Sequence, residues 1–267
     1  MRATRVRKYL KAVVAIGGLL ALFAATAGAT RVVAGNLTLD LGIDFAPKTL
    51  PLANDAPIEV WGHQRLRTKD GSVPPALTHL KFEFAKDGSV ETRGLPTCPR
   101  RKLIATTTER ARQACPGAIV GTGFATAIIA FPEQAPISAS TPVIFFNGPP
   151  VDGDPTVIVH GHLDVPAPTT YIDTFQIESI HRGSLGYRVE ADLARIAGGY
   201  GSLTYFRFHL GAHWRFRGER LSFITAHCAV PGRSRLLGRS ETQYADGTTL
   251  FGTFFGRCQV RKADRID

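Results

Sequence analysis

Apolar and polar residues alternate in short runs along most of this chain: Leu80, Phe82 and Phe84, then Val157 and Val159, Ile172 to Ile180, Val189 to Leu193, Leu203 to Leu210, and Leu221 to Thr225. A period of two places successive side chains on opposite faces of an extended backbone, so each run predicts a strand with one buried face. Four Asp-Gly pairs, beginning at Asp70, Asp87, Asp152 and Asp246, punctuate the runs with residues that tolerate tight hairpin turns. The Pro-rich stretches (Pro132 to Pro142, Pro149 to Pro155, Pro166 to Pro168) are brief and leave no linker. Short strands at this spacing predict an all-β fold, an antiparallel β-sandwich or barrel-like domain. One segment departs from the alternation. Thr108 to Cys115 predicts a short helix, with Thr106 or Thr107 as its cap and Glu109 in its first turn.

Between Gly186 and Ala226 the turns and the alternation together predict a meander with a definite register. A loop at Gly198 to Gly201 sets Leu193 opposite Phe206, Ala191 opposite Phe208 and Val189 opposite Leu210. A second loop at Gly211 to His213 sets Leu210 opposite Trp214, and a type II′ turn at Gly218-Glu219 brings Phe216 opposite Leu221 and Trp214 opposite Phe223. All large apolar groups then share one face. The other face carries Glu190, Asp192, Arg207, His209, Arg215, Arg217 and Arg220, with Asp192 opposite Arg207 and Arg217 opposite both Arg207 and Arg220. Like charges directly opposite are unfavourable, and an anion laid across Arg207, Arg215, Arg217 and Arg220 relieves them. The competing reading is a solvated face whose arginines splay into water.

Residues 1–29 carry the marks of an export signal. Arg2, Arg5, Arg7, Lys8 and Lys11 form a basic start, Ala12 to Phe23 an apolar run, and Ala27-Gly28-Ala29 a small-x-small cleavage pattern. The uncharged stretch 12–29 also approaches the roughly 20 residues that span a bilayer, so an uncleaved anchor is the alternative. Either way residues 30–267 are expected as a single exported β domain, secreted or held on the extracellular face of the envelope.

Removal of that signal changes the charge. The whole chain has 32 Lys and Arg against 22 Asp and Glu; residues 30–267 keep 27 against 22, a net of +5 rather than +10. That balance permits attraction to an anionic wall polymer or membrane surface but is too weak to argue for nucleic acid. Only eight of the 32 basic residues are Lys, a skew that points to GC-rich codons. Cys98, Cys115, Cys228 and Cys258 all lie in the exported part, and the even count predicts two disulfides. Sequence neighbours are the expected partners, Cys98 with Cys115 and Cys228 with Cys258, and no close C-x-x-C pair suggests a metal.

The remaining chemistry is sparse. His160, His162 and Asp164 recur on one face of a predicted strand, a spacing at which two imidazoles and a carboxylate can share zinc or copper, with His181 or His227 as further ligands. The segment resembles the H-x-H-x-D stretch of metallo-β-lactamase-type hydrolases, but Val165 stands where that motif has another His; it also resembles the H-x-H opening of cupins, whose Glu is missing until Glu178. Asp152 and Asp154 bring two side-chain oxygens toward calcium, far short of the six to eight it takes. No nucleophile elbow, H-E-x-x-H helix or phosphate-cradling glycine loop is present, and no cofactor is expected. Paired carboxylates for glycoside hydrolysis come from distant strands, and spacing does not reveal them.

The order Pro51-Leu52, Ala56-Pro57-Ile58, Asp70-Gly71, Gly94-Leu95-Pro96, Phe146-Asn147-Gly148, Ala197-Gly198-Gly199-Tyr200-Gly201-Ser202 and Asp246-Gly247 resembles a group of uncharacterised secreted β-rich proteins of GC-rich Gram-positive bacteria. The resemblance implies export and β structure and carries no activity. The expectation is therefore an exported, non-catalytic envelope or extracellular protein. A secreted glycan hydrolase and a metal-dependent enzyme on the His-x-His-x-Asp strand are the alternatives.

Overall fold

A computed structural model of the protein describes residues 29–261, so the expected signal, apart from Ala29, lies outside the described residues. The strands run β1 (Ala29–Ala34), β2 (Leu37–Ala46), β3 (Thr49–Leu50), β4 (Ala56–Pro57), β5 (Glu59–Thr68), β6 (Leu77–Ala85) and β7 (Gly88–Val90). After the helix α1 (Thr108–Ala114) come β8 (Ile119–Ile129), β9 (Ile137–Val151), β10 (Asp154–Leu163), β11 (Thr169–Arg182), β12 (Leu185–Asp192) and β13 (Gly201–Leu210). The chain ends with β14 (His213–Phe216), β15 (Glu219–Ser222), β16 (Ile224–Ala226), β17 (Arg235–Tyr244), β18 (Thr249–Gly256) and β19 (Gln259–Val260).

Twelve of these strands form one antiparallel sheet in the order β1-β2-β5-β13-β8-β9-β10-β11-β12-β6-β17-β18. The last strand returns beside the first, where the Thr30 hydroxyl donates to the Thr253 carbonyl at 2.6 Å, and the sheet becomes a nearly closed barrel. Leu37, Leu39 and Leu41 meet Leu250 and Phe254 in one part of its interior, and Val143, Phe145, Val157 and Ile177 fill another. The outward positions of β6, β11, β12 and β17 carry an ionic network, while Val33, Trp61, Phe251 and Phe255 are exposed on β1, β5 and β18. Glu83 binds Arg182 and Arg188, His79 bridges Glu190 and Asp192, and Lys81 reaches Glu241. Among the described residues, no helix is long and apolar enough to cross a membrane.

One sector of the wall is covered. Ile144, Phe146, Ile158 and Ile172 face outward and are buried by a flap, Leu95–Ala118, whose Cys98, Leu103, Ala111 and Cys115 pack on them. Val143 to Phe146 is therefore buried on both faces, which explains an apolar run without alternation. Thr107 caps α1 by accepting the Arg110 N–H at 3.3 Å, and Glu109 sits in the first turn, as expected. Asn147 latches the flap root: its side chain donates to the Leu95 and Pro96 carbonyls at 3.3 and 3.0 Å, and its own carbonyl accepts Cys98 N–H at 2.8 Å. The Cys98–Cys115 disulfide closes the flap, and Cys228–Cys258 closes a second cluster with Leu50, Ala56 and Val260. Both pairings match the expectation from sequence neighbours.

The expected meander does not form. β12 pairs with β11 and β6, and β13 pairs with β5 and β8, so Asp192 lies opposite His79 rather than Arg207, and Arg207 lies opposite His63 and Phe124. The Gly198–Gly201 stretch is a crossing at the barrel end, not a hairpin; Ile196 and Ala197 turn inward there to pack with Ile129, Ala139 and Leu163. Alternation decides which side of a strand is buried, and that part holds: Phe206, Phe208, Leu210 and Val189 all pack inside. Of the expected pairings only that of β14 with β15 forms, and its register differs by two residues, with Trp214 opposite Leu221 and Arg215 opposite Arg220. The turn is Arg217-Gly218, both residues at positive φ (51° and 86°), because a turn of that form follows the twist of the two strands.

Candidate functional site

The β14–β15 hairpin is held at the base of the barrel by its apolar face. Trp214 packs with Leu95 and Phe223 and donates its indole N–H to the Arg93 carbonyl at 2.8 Å, while the Phe216 ring lies against Gly94. Its other face is cationic. Arg215 and Arg220 are directly opposed and exposed, and Arg217 occupies the tip with its guanidinium 5.1 Å from the Phe216 ring centre. Among the described residues, none of the three makes an ion pair. Arg207 is not part of this group. It stands on the barrel wall with its guanidinium 5.7 Å from the Phe124 ring centre. Sequence reasoning missed the adjoining flap, where Arg100, Arg101, Lys102, Arg110 and Arg112 stand against a single acidic residue, Glu109; the R-R-K run and R-x-R spacing were the available signal.

The side chains of the His-x-His-x-Asp strand do not converge on one point. His160 is fully buried beneath the flap, its Nε2 3.2 Å from the Thr106 carbonyl and 3.1 Å from the Thr106 hydroxyl. Burial lowers its pKa below the ordinary histidine value, the bond to Thr106 opposes that, and His162 adds to it. His162 Nδ1 is 3.0 Å from the Thr170 hydroxyl, and its Nε2 lies 3.5 Å from the exposed Asp164. The two imidazoles therefore serve different partners, and among the described residues no three His, Cys, Asp or Glu side chains gather to hold a metal ion. His181 is exposed at the end of β11, and His227 lies elsewhere, bonded to Asp55.

That second histidine belongs to a polar cluster on the small sheet β4-β16-β7. Asp55 accepts from Ser89 at 2.6 Å and Thr225 at 3.2 Å and meets His227 Nδ1 at 2.7 Å, while Asp87 binds Arg235. Burial pushes the Asp55 carboxyl up, but the bonds from Ser89 and His227 outweigh it and hold its pKa below the ordinary carboxylate value. Ser89 donates to the carboxylate rather than to the imidazole, so this is a tie between strands and not a nucleophile with its base.

No family model, curated protein or solved structure matches the chain.

A cavity of about 110 Å³ opens inside the barrel beneath the crossing from β12 to β13. Its walls are mostly apolar, including Ala125, Ala127, Val159 and Phe206, and Tyr171 and Asp173 add polar groups. Both are engaged by the crossing: the Ala194 N–H donates to Asp173 Oδ1 at 2.9 Å and the Ala197 N–H to the Tyr171 hydroxyl at 3.0 Å. Burial raises the Asp173 pKa above the ordinary carboxylate value, against the Ala194 bond and the charge of Arg100.

Proposed function

We propose that the protein is exported by its residues 1–29 and acts without catalysis in the envelope or outside the cell, holding an anionic polymer on the β14–β15 hairpin. The observation that carries this reading is the direct opposition of Arg215 and Arg220, with Arg217 at the tip and no acidic partner for any of them among the described residues. Polyanions of phosphate or uronate type match the planar donor fork of arginine. Two disulfides are compatible with an extracellular location. Arg93, whose carbonyl accepts the Trp214 indole N–H, is already paired with Glu91 and is not counted in the site.

Salt-dependent retention on polyphosphate and polygalacturonate tests the proposal. The triple variant Arg215→Ser, Arg217→Ser, Arg220→Ser is expected to weaken retention about tenfold or more with little change in melting temperature. Arg207→Ser, on the barrel wall, is expected to leave it unchanged. Undiminished retention by the triple variant overturns the reading.

A further inference from the structure

Several glycines of the barrel wall are required by packing. A Cβ on Gly62 would lie 2.6 Å from the Phe208 ring, and one on Gly121 would lie 2.3 Å from the His209 carbonyl oxygen. Gly161 is different. It lines the cavity, its φ is not in the left-handed region, and an added Cβ would meet only Thr141 Cγ2 at 3.5 Å and Val143 Cγ2 at 3.8 Å, which are ordinary contacts. Glycine within a strand is destabilising relative to alanine, and neither backbone nor packing asks for it here. What it leaves is space, alongside the equally small Ala125 and Ala127.

A carboxylate faces that space. Asp173 Oδ1 takes the Ala194 N–H, and no protein donor reaches Oδ2. No basic side chain lines the cavity. Arg100 approaches from the flap, but its guanidinium donates to the Ile172 carbonyl at 3.5 Å and makes no ion pair with Asp173. A carboxylate among mostly apolar walls with no cation in contact is costly, and a cation brought by a ligand reduces that cost while the ligand's body buries against the walls. Hydrogen-bond donors alone serve less well, because bonds to an ionised acceptor are strongest when the donor is also charged.

We infer that the barrel cavity is a binding site for a small apolar amine, its ammonium on Asp173 and its hydrocarbon body against Ala125, Ala127, Val159 and Phe206. The volume suits about five non-hydrogen atoms, since a cavity of about 150 Å³ accommodates benzene. The site stands apart from the Arg215–Arg220 hairpin and does not depend on it. The Leu193–Tyr200 crossing is the cover, because its two amide bonds end on the two polar groups the ligand meets.

Isobutylamine and isobutanol, equal in shape and different in charge, are the probes, read as saturable shifts of the Ala194 and Ala197 amides in a nuclear magnetic resonance titration near pH 7. The amine is expected to bind about tenfold or more tightly than the alcohol. Asp173→Asn is expected to abolish that preference. Gly161→Ala, which places one methyl in the cavity without a clash, is expected to weaken the amine about tenfold while the melting temperature holds or rises. Equal affinity for amine and alcohol, amine binding unchanged by Gly161→Ala, or no saturable shift in the wild-type protein each overturns the inference. Gly161→Ala keeps the question decidable if Asp173→Asn does not fold.

Discussion

The Nε2 of His160 lies 3.2 Å from the carbonyl oxygen of Thr106, joining a barrel strand to the flap that covers it. The ring is fully buried, its Nδ1 has no partner, and Thr106 also accepts the Thr170 hydroxyl at 2.8 Å. Strand and flap are thus tied by a neutral imidazole. Burial lowers its pKa in the folded protein below the ordinary 6.5, so the unfolded chain binds the proton more readily. The resulting stability is present above about pH 6.5 and lost as pH falls below it. Thermal melts at pH 7 and pH 5 should show this loss, and in His160→Gln, which carries no titrating group, the difference between the two should shrink. An unchanged difference would show that the acid sensitivity lies elsewhere.

Asn147 should be among the more costly polar residues to replace. Asn147→Ala strips two carbonyls at the flap root of their donor, and a buried unsatisfied acceptor costs about 1–3 kcal/mol. Denaturant melts report the size of the loss, and faster amide exchange across Cys98 to Cys115 would assign it to the flap.

Gly94 combines a positive φ of 70° with a neighbour that leaves no room: an added Cβ would lie 2.1 Å from the Phe216 ring. Gly94→Ala is expected to displace the β14–β15 hairpin and cost about 1–3 kcal/mol. Trp214 is one of only two tryptophans in the chain, so a red shift of its emission is the direct readout. A crystal structure of the variant with the hairpin in place would refute the packing argument.

The two disulfides enclose separations of 17 and 30 residues, and each should contribute about 3–4 kcal/mol through the entropy of the unfolded chain. Their loss should differ in location. Replacing Cys98 and Cys115 by serine is expected to loosen the flap while the barrel strands keep their exchange protection; replacing Cys228 and Cys258 should instead expose the cluster around Leu50 and Val260. Mass-resolved hydrogen exchange of each variant checks the contrast.

Burial sides, turns, the capped helix and the cysteine pairs could all be read from local spacing, because each depends on residues within a few positions of one another. Strand neighbours could not. Phe206 and Phe208 face inward whether β13 lies beside β12 or beside β5 and β8, so alternation is silent on the partner. The same silence separates the expected site: Arg207 joins Arg215, Arg217 and Arg220 only if sequential strands are neighbours, and β13 instead lies between β5 and β8. Asp173 was hidden for a related reason. The inward row Tyr171, Asp173, Phe175 and Ile177 holds one acid, but Ile172 on the other face of β11 is buried under the flap, so neither side of the strand stood out as the core. The cavity itself comes from residues on separate strands, and no local pattern announces an empty space.

The seam of the barrel sets the timing of its assembly. β1 is the first described strand to leave the ribosome and β18 nearly the last, yet the two lie side by side. Until β17 and β18 have arrived, β1 and β6 both remain open edges, with Val32 and Phe82 uncovered beside unpaired backbone. A chain truncated before Arg235 would keep most of its strands and still be left as a sheet with two adhesive borders, prone to stick to its own copies.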